Sequence, residues 1–420
     1  MSLSKSFFPM FIMGLLFFIF GFVTWLNGSL IPFLKVLCEL SDTQALLVTF
    51  AFYISYTVMA LPMAYLLEKV GYRDGMAIGL GVMAVGSLLF IPAAQNTSYM
   101  LFLVALFMLG SGLTILQNAS NPYIVFLGDV KSAAMRISVM GIINKSAGVM
   151  VPFLFSALVL SGMPSLDKPL SPEEIEQLSN ALVTPYMLMA GVLVGLVFLI
   201  KLSHIPEIAF EETEEVKGSI FTYPKVVLGS VALFFYVGIE VIAGDTIGLY
   251  AQSLGVQNAT TLTSFTMAFM VMAYVVGVVA IPRFLSQQKA LTLSAFLGIF
   301  FTLGIVFSST TSQTLSAVLW GWSGLPLVVD SVVFVALLGL SNALVWPTIW
   351  PLALDGLGAM SAKGSALLIM AISGGALLPL AFGGLSTLFG EMQFAYSIAL
   401  VCYGFILLFA LKWHKMESWR

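Results

Sequence analysis

The sequence predicts an all-α membrane protein, with twelve transmembrane helices in two six-helix, pseudo-symmetric halves. Three observations carry this expectation. Of the 420 residues, 60% are hydrophobic and 9% charged, which excludes an ordinary soluble globular domain. Apolar runs of about 20 residues, the length a bilayer crossing needs, recur along the whole chain. The second half of the chain also repeats motifs of the first.

In order, the apolar segments fall at 8–34, 43–67, 76–95, 99–127, 134–162, 182–202, 225–252, 260–282, 290–308, 326–353, 364–388 and 392–412. The first is too long for a signal-peptide core, so it reads as a retained span. Twelve crossings return both termini to one side. With the amino terminus in the cytoplasm, Lys69, Arg73, Lys131, Arg136, Lys201 and the basic residues of the second half all fall inside. Only Lys35 and Lys168 fall outside, and Lys145 lies within a span, so the positive-inside bias supports the span count and an orientation with both termini cytoplasmic. Residues 1–202 and 223–420 form the halves. The stretch 203–222, with Glu211, Glu212, Glu214 and Glu215, reads as a solvated cytoplasmic linker. In the outer loop 164–180, Ser171 and Glu174 have capping-box spacing for a short helix.

The repeat is visible in three places. FFIFG at 17–21 recurs as FFYVG at 234–238, SAGVMVP at 146–152 as SGGALLP at 373–379, and Pro122 corresponds to Pro347. Similar offsets in separate segments point to a parallel duplication with a site between the halves.

Polar residues inside apolar segments need a reason, because an unpartnered amide in hydrocarbon costs several kcal/mol. In the fourth segment Gly110, Thr114, Gln117, Asn118 and Asn121 share one helical face. Amides offer both donors and acceptors, which suits hydroxylated ligands; the alternative is polar packing between helices. Thr24 and Asn27 share a face of the first segment, where Gly28 permits unwinding or close approach. The fifth segment carries Asn144 and Lys145 on one face; the lysine is too deep to snorkel, leaving an ion pair or a ligand contact. In the tenth, Asn342, Trp346 and Ile349 share a face, and an indole there offers a flat apolar surface with one N–H donor. Trp350 and Asp330 read as interfacial.

The seventh segment holds Glu240 and Asp245, about 140° apart on a regular helix, so they reach one ion only if the helix is distorted near Gly244 or Gly248. With freed carbonyls they would make a sodium site; one desolvated carboxylate would make a proton site. By the repeat, Asp245 is the counterpart of Gly28.

The six-plus-six pattern resembles the major facilitator transporters, and LEKVGYRDG at 67–75 resembles their loop between the second and third helices. That resemblance gives Gly71, Arg73 and Asp74 a gating role. TWLNGSLIPFLK, QNASNPY and WPTIWPLAL resemble the fucose/galactose/glucose:H+ symporter family along essentially the whole chain. The resemblance implies a sugar importer of the inner membrane. The family's first-helix carboxylate falls on Gly28 and its fourth-helix glutamate on Gln117, while the amides Asn27, Asn121 and Asn144 match.

The expectation is therefore import of a hexose or related sugar (glucose, galactose, fucose or N-acetylglucosamine class) by cation symport. Substrate contacts are expected from Thr24, Asn27, Thr114, Gln117, Asn118, Asn121, Asn144, Lys145, Asn342 and Trp346. Coupling is expected through Glu240 and Asp245, with Na+ at that pair favoured over H+. A drug-efflux antiporter and a non-transporting sugar sensor are the alternatives. Catalytic residues are not expected: His204 and His414 sit at span ends, and no HExxH or GxSxG motif occurs. Cys38 and Cys402 are too scattered for a metal cluster or disulfide framework, and no basic tract suggests nucleic acid. The partners expected are a small sugar and the lipid bilayer, for a monomer with no cofactor beyond the coupling cation.

Overall fold

The computed structural model describes residues 3–127, 133–162, 171–203, 219–281, 283–357 and 360–419. Among these described residues, twelve helices are long and apolar enough to cross a membrane. The first-half spans are Phe8–Leu37, Asp42–Ala60, Lys69–Gln95, Tyr99–Ser120, Arg136–Leu160 and Pro172–Leu202 (spans 1–6). Those of the second half are Pro224–Asp245, Ala259–Ala280, Gln287–Phe307, Asp330–Leu354, Lys363–Phe389 and Met392–Lys415 (spans 7–12). An even number of crossings puts both chain ends on one face, the terminal face; the other is the distal face. The acidic run of the linker, Lys131, Lys168, Lys217 and His204, and the side chains of Asn121 and Pro122, lie outside the described residues.

The repeated glycines have a structural reason. A Cβ at Gly21 would collide with the backbone of Asn144, so span 1 presses directly on span 5. At the equivalent Gly238 it would collide with the Leu378 side chain, so span 7 receives a leucine of span 11 there. Removing the side chain lets backbones approach, the main source of helix affinity where lipid replaces water. Spans 6 and 9 expose Leu188, Phe198, Phe296 and Phe300, as lipid-facing helices should.

The first half also shows how local sequence sets span ends. Ser171 caps helix Pro172–Asn180 through a complete capping box with Glu174, as its spacing predicts. Gly71 adopts φ 78°, a left-handed conformation that lets spans 2 and 3 turn in a single residue. The neighbouring Arg73 and Asp74 bond not to each other but to the end of span 6. Arg73 Nη2 donates to the Lys201 carbonyl at 3.3 Å, and Asp74 pairs with Lys201 Nζ at 2.8 Å. Both contacts stay within the first half, so they brace it.

Side-chain hydrogen bonds join the halves toward the distal face. Ser29 of span 1 donates to the Thr260 carbonyl (2.7 Å), Ser264 of span 8 to the Val149 carbonyl (2.7 Å), and Thr49 of span 2 to Asp245 (3.3 Å). At the distal rim, the hydroxyls of Thr43 and Thr387 are 3.4 Å apart. Spans 1 and 7 cross where a Cβ on Gly28 would meet Thr263 and the Gly244 carbonyl. Span 1 stays helical through this point, so Gly28 serves close approach and not unwinding.

Candidate transport site

A cavity of about 140 Å³ lies between the halves, walled by spans 1, 2, 4 and 5 from one side and spans 7, 8, 10 and 11 from the other. Its rim includes Ile137 and Ser138 in the first turn of span 5, on the terminal side, while the Gly28–Gly244 crossing closes the distal side.

Its charged element is an ion pair between the halves. Lys145 Nζ lies 2.8 Å from Glu240 Oε1, and each residue is only 8% exposed. Tyr236 O–H donates to the same oxygen at 2.8 Å, and Lys145 Nζ sits 4.2 Å from the centre of the Trp25 ring. Such a pair is tolerable in hydrocarbon only because each charge has several partners. Trp25 Nε1 in turn donates to Asn144 Oδ1 at 3.4 Å, and Asn144 Nδ2 donates to the Phe17 carbonyl at 3.3 Å. The pair and its supports form one wall of the cavity. Opposite chemistry comes from Gln117, whose amide donates to Tyr56 O–H at 2.9 Å, and from Trp346, which packs 6.3 Å from Tyr236.

Of the residues singled out by sequence, Thr24, Gln117, Asn144, Lys145, Glu240 and Trp346 line this cavity. Others do not. Thr114 is buried and returns its hydroxyl to the Gly110 carbonyl at 2.8 Å, so that end of the polar stripe serves packing. Asn118 is half-buried and outside the lining, and the side chain of Asn121 lies outside the described residues. Asn27 is buried beyond the distal end of the cavity, because spans 1 and 7 close together one residue later at Gly28. Asn342 accepts from Tyr403 O–H at 2.7 Å inside the second half. It parts from Trp346 because span 10 is broken: one helix ends at Asn342 and the next begins at Val345. Asp330 is buried, accepting from the Leu315 backbone N–H at 2.8 Å, and so anchors a loop instead of facing open water.

The expected two-carboxylate sodium site is corrected as well. The helix Pro224–Asp245 runs unbroken from Glu240 to Asp245 and breaks only at Thr246. The two acids therefore keep their separation around the helix, and about 7.5 Å along it. Glu240 faces the cavity; Asp245 is fully buried against Thr49. Three carbonyls of this stretch are also already engaged. Those of Ile242, Ala243 and Gly244 accept from Thr246, Thr266 and Thr263. Among the described residues, no group of three His, Cys, Asp or Glu could hold a metal.

Sequence reasoning passed over the aromatic lining: Trp25, Tyr53, Tyr56, Tyr236 and Tyr274. The available signal was position. Tyrosines deep inside a span, and not at its ends, need a polar partner or a wet wall.

The sequence profile of the Major Facilitator Superfamily matches residues 13–378. A glucose/galactose transporter of Brucella abortus is 33% identical over 405 residues, covering 94% of this chain and 92% of its own. An L-fucose-proton symporter of Escherichia coli is 28% identical over 416 residues, covering 94% and 90%. The crystal structure of the E. coli fucose:proton symporter superposes with a TM-score of 0.72 at 25% identity, over 96% of this chain and 98% of the other. The inward-open xylose transporter XylE of E. coli shares the fold at a TM-score of 0.71 and 13% identity, over 99% and 97%. A duplicated six-helix unit, twelve spans and a cavity on the seam between the halves meet here with similarity along nearly the full length: the chain is a multi-pass membrane transporter, not an enzyme, and belongs to the major facilitator superfamily.

Proposed function

We propose that the chain imports a hexose or related sugar by cation symport, through alternating exposure of the cavity between its halves. The observation that carries this reading is the lining. Gln117, Asn144 and Thr24 offer hydrogen-bond donors and acceptors for hydroxyls, while Trp25, Trp346 and the tyrosines offer flat apolar surface for the C–H face of a sugar ring. An efflux pocket for amphipathic drugs would be mostly aromatic and Met-lined; here Gln117, Asn144, Thr24 and the Lys145–Glu240 pair interrupt the aromatic wall, and its lining among the described residues contains no Met. The names of the similar proteins, glucose/galactose transporter and L-fucose-proton symporter, support a monosaccharide.

For the coupling cation, the sodium argument loses its basis, since it needed converging acids and free carbonyls. A proton needs one acceptor only, and the proton-symporter relative supports it. With the terminal face in the cytoplasm, as the basic residues of its loops support, the cavity belongs to the inward-facing state.

The test is uptake of labelled glucose, galactose, fucose and N-acetylglucosamine into proteoliposomes, with pH and sodium gradients imposed separately. Concentrative uptake of at least one sugar on a pH gradient in sodium-free buffer is expected. Uptake of none, with no sugar protecting the cavity from a thiol reagent at Ser138→Cys, would overturn the substrate class.

A further inference from the structure

The crossing of spans 1 and 7 holds a second polar site, distinct from the cavity. Asp245 is 0% exposed, and its Oδ2 has one donor, the Thr49 hydroxyl, at 3.3 Å. Its Oδ1 has no hydrogen-bond partner. Across the crossing, Asn27 is 1% exposed and its Nδ2 also lacks a partner. These two orphans flank the point where Gly28 meets the Gly244 carbonyl.

The charges that reach Asp245 do not compensate it. They are Glu240 on its own helix and Lys145 on span 5, and these two neutralise each other. Span 2 presents Thr49 and Tyr53 to it, while Gly28 of span 1 and Thr263 and Thr266 of span 8 pack on the preceding residues of its helix, the two hydroxyls spent on the Gly244 and Ala243 carbonyls. An ionised carboxylate enclosed this way would be an unpaired charge in a dry interface, costing several kcal/mol. Parting the halves on the distal face would open the same carboxylate to water and remove that penalty.

We infer that Asp245 is the ion site of the transport cycle, and that one positive charge delivered to it is the condition for closing the distal face. A proton meets that condition with one acceptor, cancelling the charge before burial; a sodium ion would need further oxygen ligands, and the carbonyls of Ile242, Ala243 and Gly244 are already engaged. The site then couples ion to gate by differential affinity: the closed state binds the cation more tightly than the open state by the cost of burying the bare carboxylate. Tyr53 links the two sites, since it lines the cavity, lies one turn from Thr49 and is within electrostatic reach of Asp245. This inference rests on the ion-coupled reading above and names which acid carries the ion.

The test reads the gate without any sugar, so a wrong substrate assignment leaves it intact. In a background with Cys38→Ser and Cys402→Ala, Thr43→Cys and Thr387→Cys place a thiol on each half at the distal rim. Cross-linking of this pair by a short bifunctional thiol reagent reports distal closure. Rates are normalised at each condition to the same pair carrying Asp245→Asn, which removes reagent chemistry from the comparison. The Asn variant keeps an acceptor for Thr49 and carries no charge, so it should close under all conditions. With Asp245 intact and sodium absent, the normalised rate should stay near one in acid and fall about tenfold or more in alkali, as ionised Asp245 holds the face open. Restoration by sodium at fixed alkaline pH would support the same site with sodium as carrier. A normalised rate flat against both pH and sodium overturns the inference. A Thr49→Val pair that keeps the full response would remove Thr49 from the site.

Discussion

The Lys145–Glu240 pair allows a prediction whose size can be worked from its contacts. Lys145→Met removes the 2.8 Å ion pair and the cation–π contact with Trp25, and leaves Glu240 with Tyr236 as its remaining donor. Stripping one partner from a buried pair costs about 3–5 kcal/mol, mostly from the charge left behind. The cation–π contact adds about 0.5–2 kcal/mol. Glu240→Gln should cost less: the amide still accepts from Tyr236, and the ammonium keeps the Trp25 face. The double variant leaves no unpaired charge, and neutral replacement of a buried pair is often harmless. It should therefore be more stable than either single variant, with a coupling of about 2–3 kcal/mol in the cycle. The assay is thermal stability of the detergent-solubilised protein, read as an ordering of Tm values because membrane-protein unfolding is rarely reversible. The expected order is wild type at the top, then the double variant, Glu240→Gln and Lys145→Met. Strictly additive losses, or a Lys145→Met protein as stable as wild type, would refute the claim that the two charges sustain each other.

Three further outcomes follow from the same geometry. Gln117→Ala should weaken sugar binding by about 1–3 kcal/mol, because it takes an amide from the cavity wall and leaves Tyr56 O–H without its donor; isothermal titration with the transported sugar checks it. Asn342→Ala should lower Tm while leaving sugar affinity within twofold, roughly the scatter of such measurements, since Asn342 bonds Tyr403 away from the cavity. Gly28→Ala should hold the halves apart on the distal face, because its methyl would meet Thr263 and the Gly244 carbonyl; slow cross-linking between Thr43→Cys and Thr387→Cys in that variant is the readout.

What was legible in the sequence, and what was not, divides along physical lines. Hydrophobic run length and the duplicated motifs report on local helices and their glycine contacts, which are properties of one segment, so the twelve spans and the pseudo-symmetry could be read directly. The site is a property of eight spans at once. Gln117, Asn144 and Lys145 were visible because a polar group in an apolar helix stands out. Tyr53, Tyr56 and Tyr236 were not, because a tyrosine passes as apolar until its neighbours are known. Asn342 misled because a shared face was inferred across residues where span 10 is interrupted. Glu240 and Asp245 misled in the opposite sense: the distortion needed to merge them was expected near Gly244 or Gly248, whereas the helix runs unbroken between the two acids and breaks only at Thr246, beyond both.

That last difference bears on mechanism. Had the two acids met on one ion, substrate and cation would compete for or share a single site. An unbroken helix instead presents Glu240 to the cavity and, about 140° round and 7.5 Å further along, Asp245 to the interface between the halves. Span 7 can then act as a rigid body that registers two events on different faces: occupation of the cavity on one, neutral or charged interface on the other. Neither ligand need touch the other for their binding to be linked, because both bias the same separation of the halves. The ion pair makes this workable. By holding Glu240 neutralised from across the seam, Lys145 leaves Asp245 as the acid in this wall whose charge has no partner, so one cation changes the gate's balance without first disturbing the sugar site.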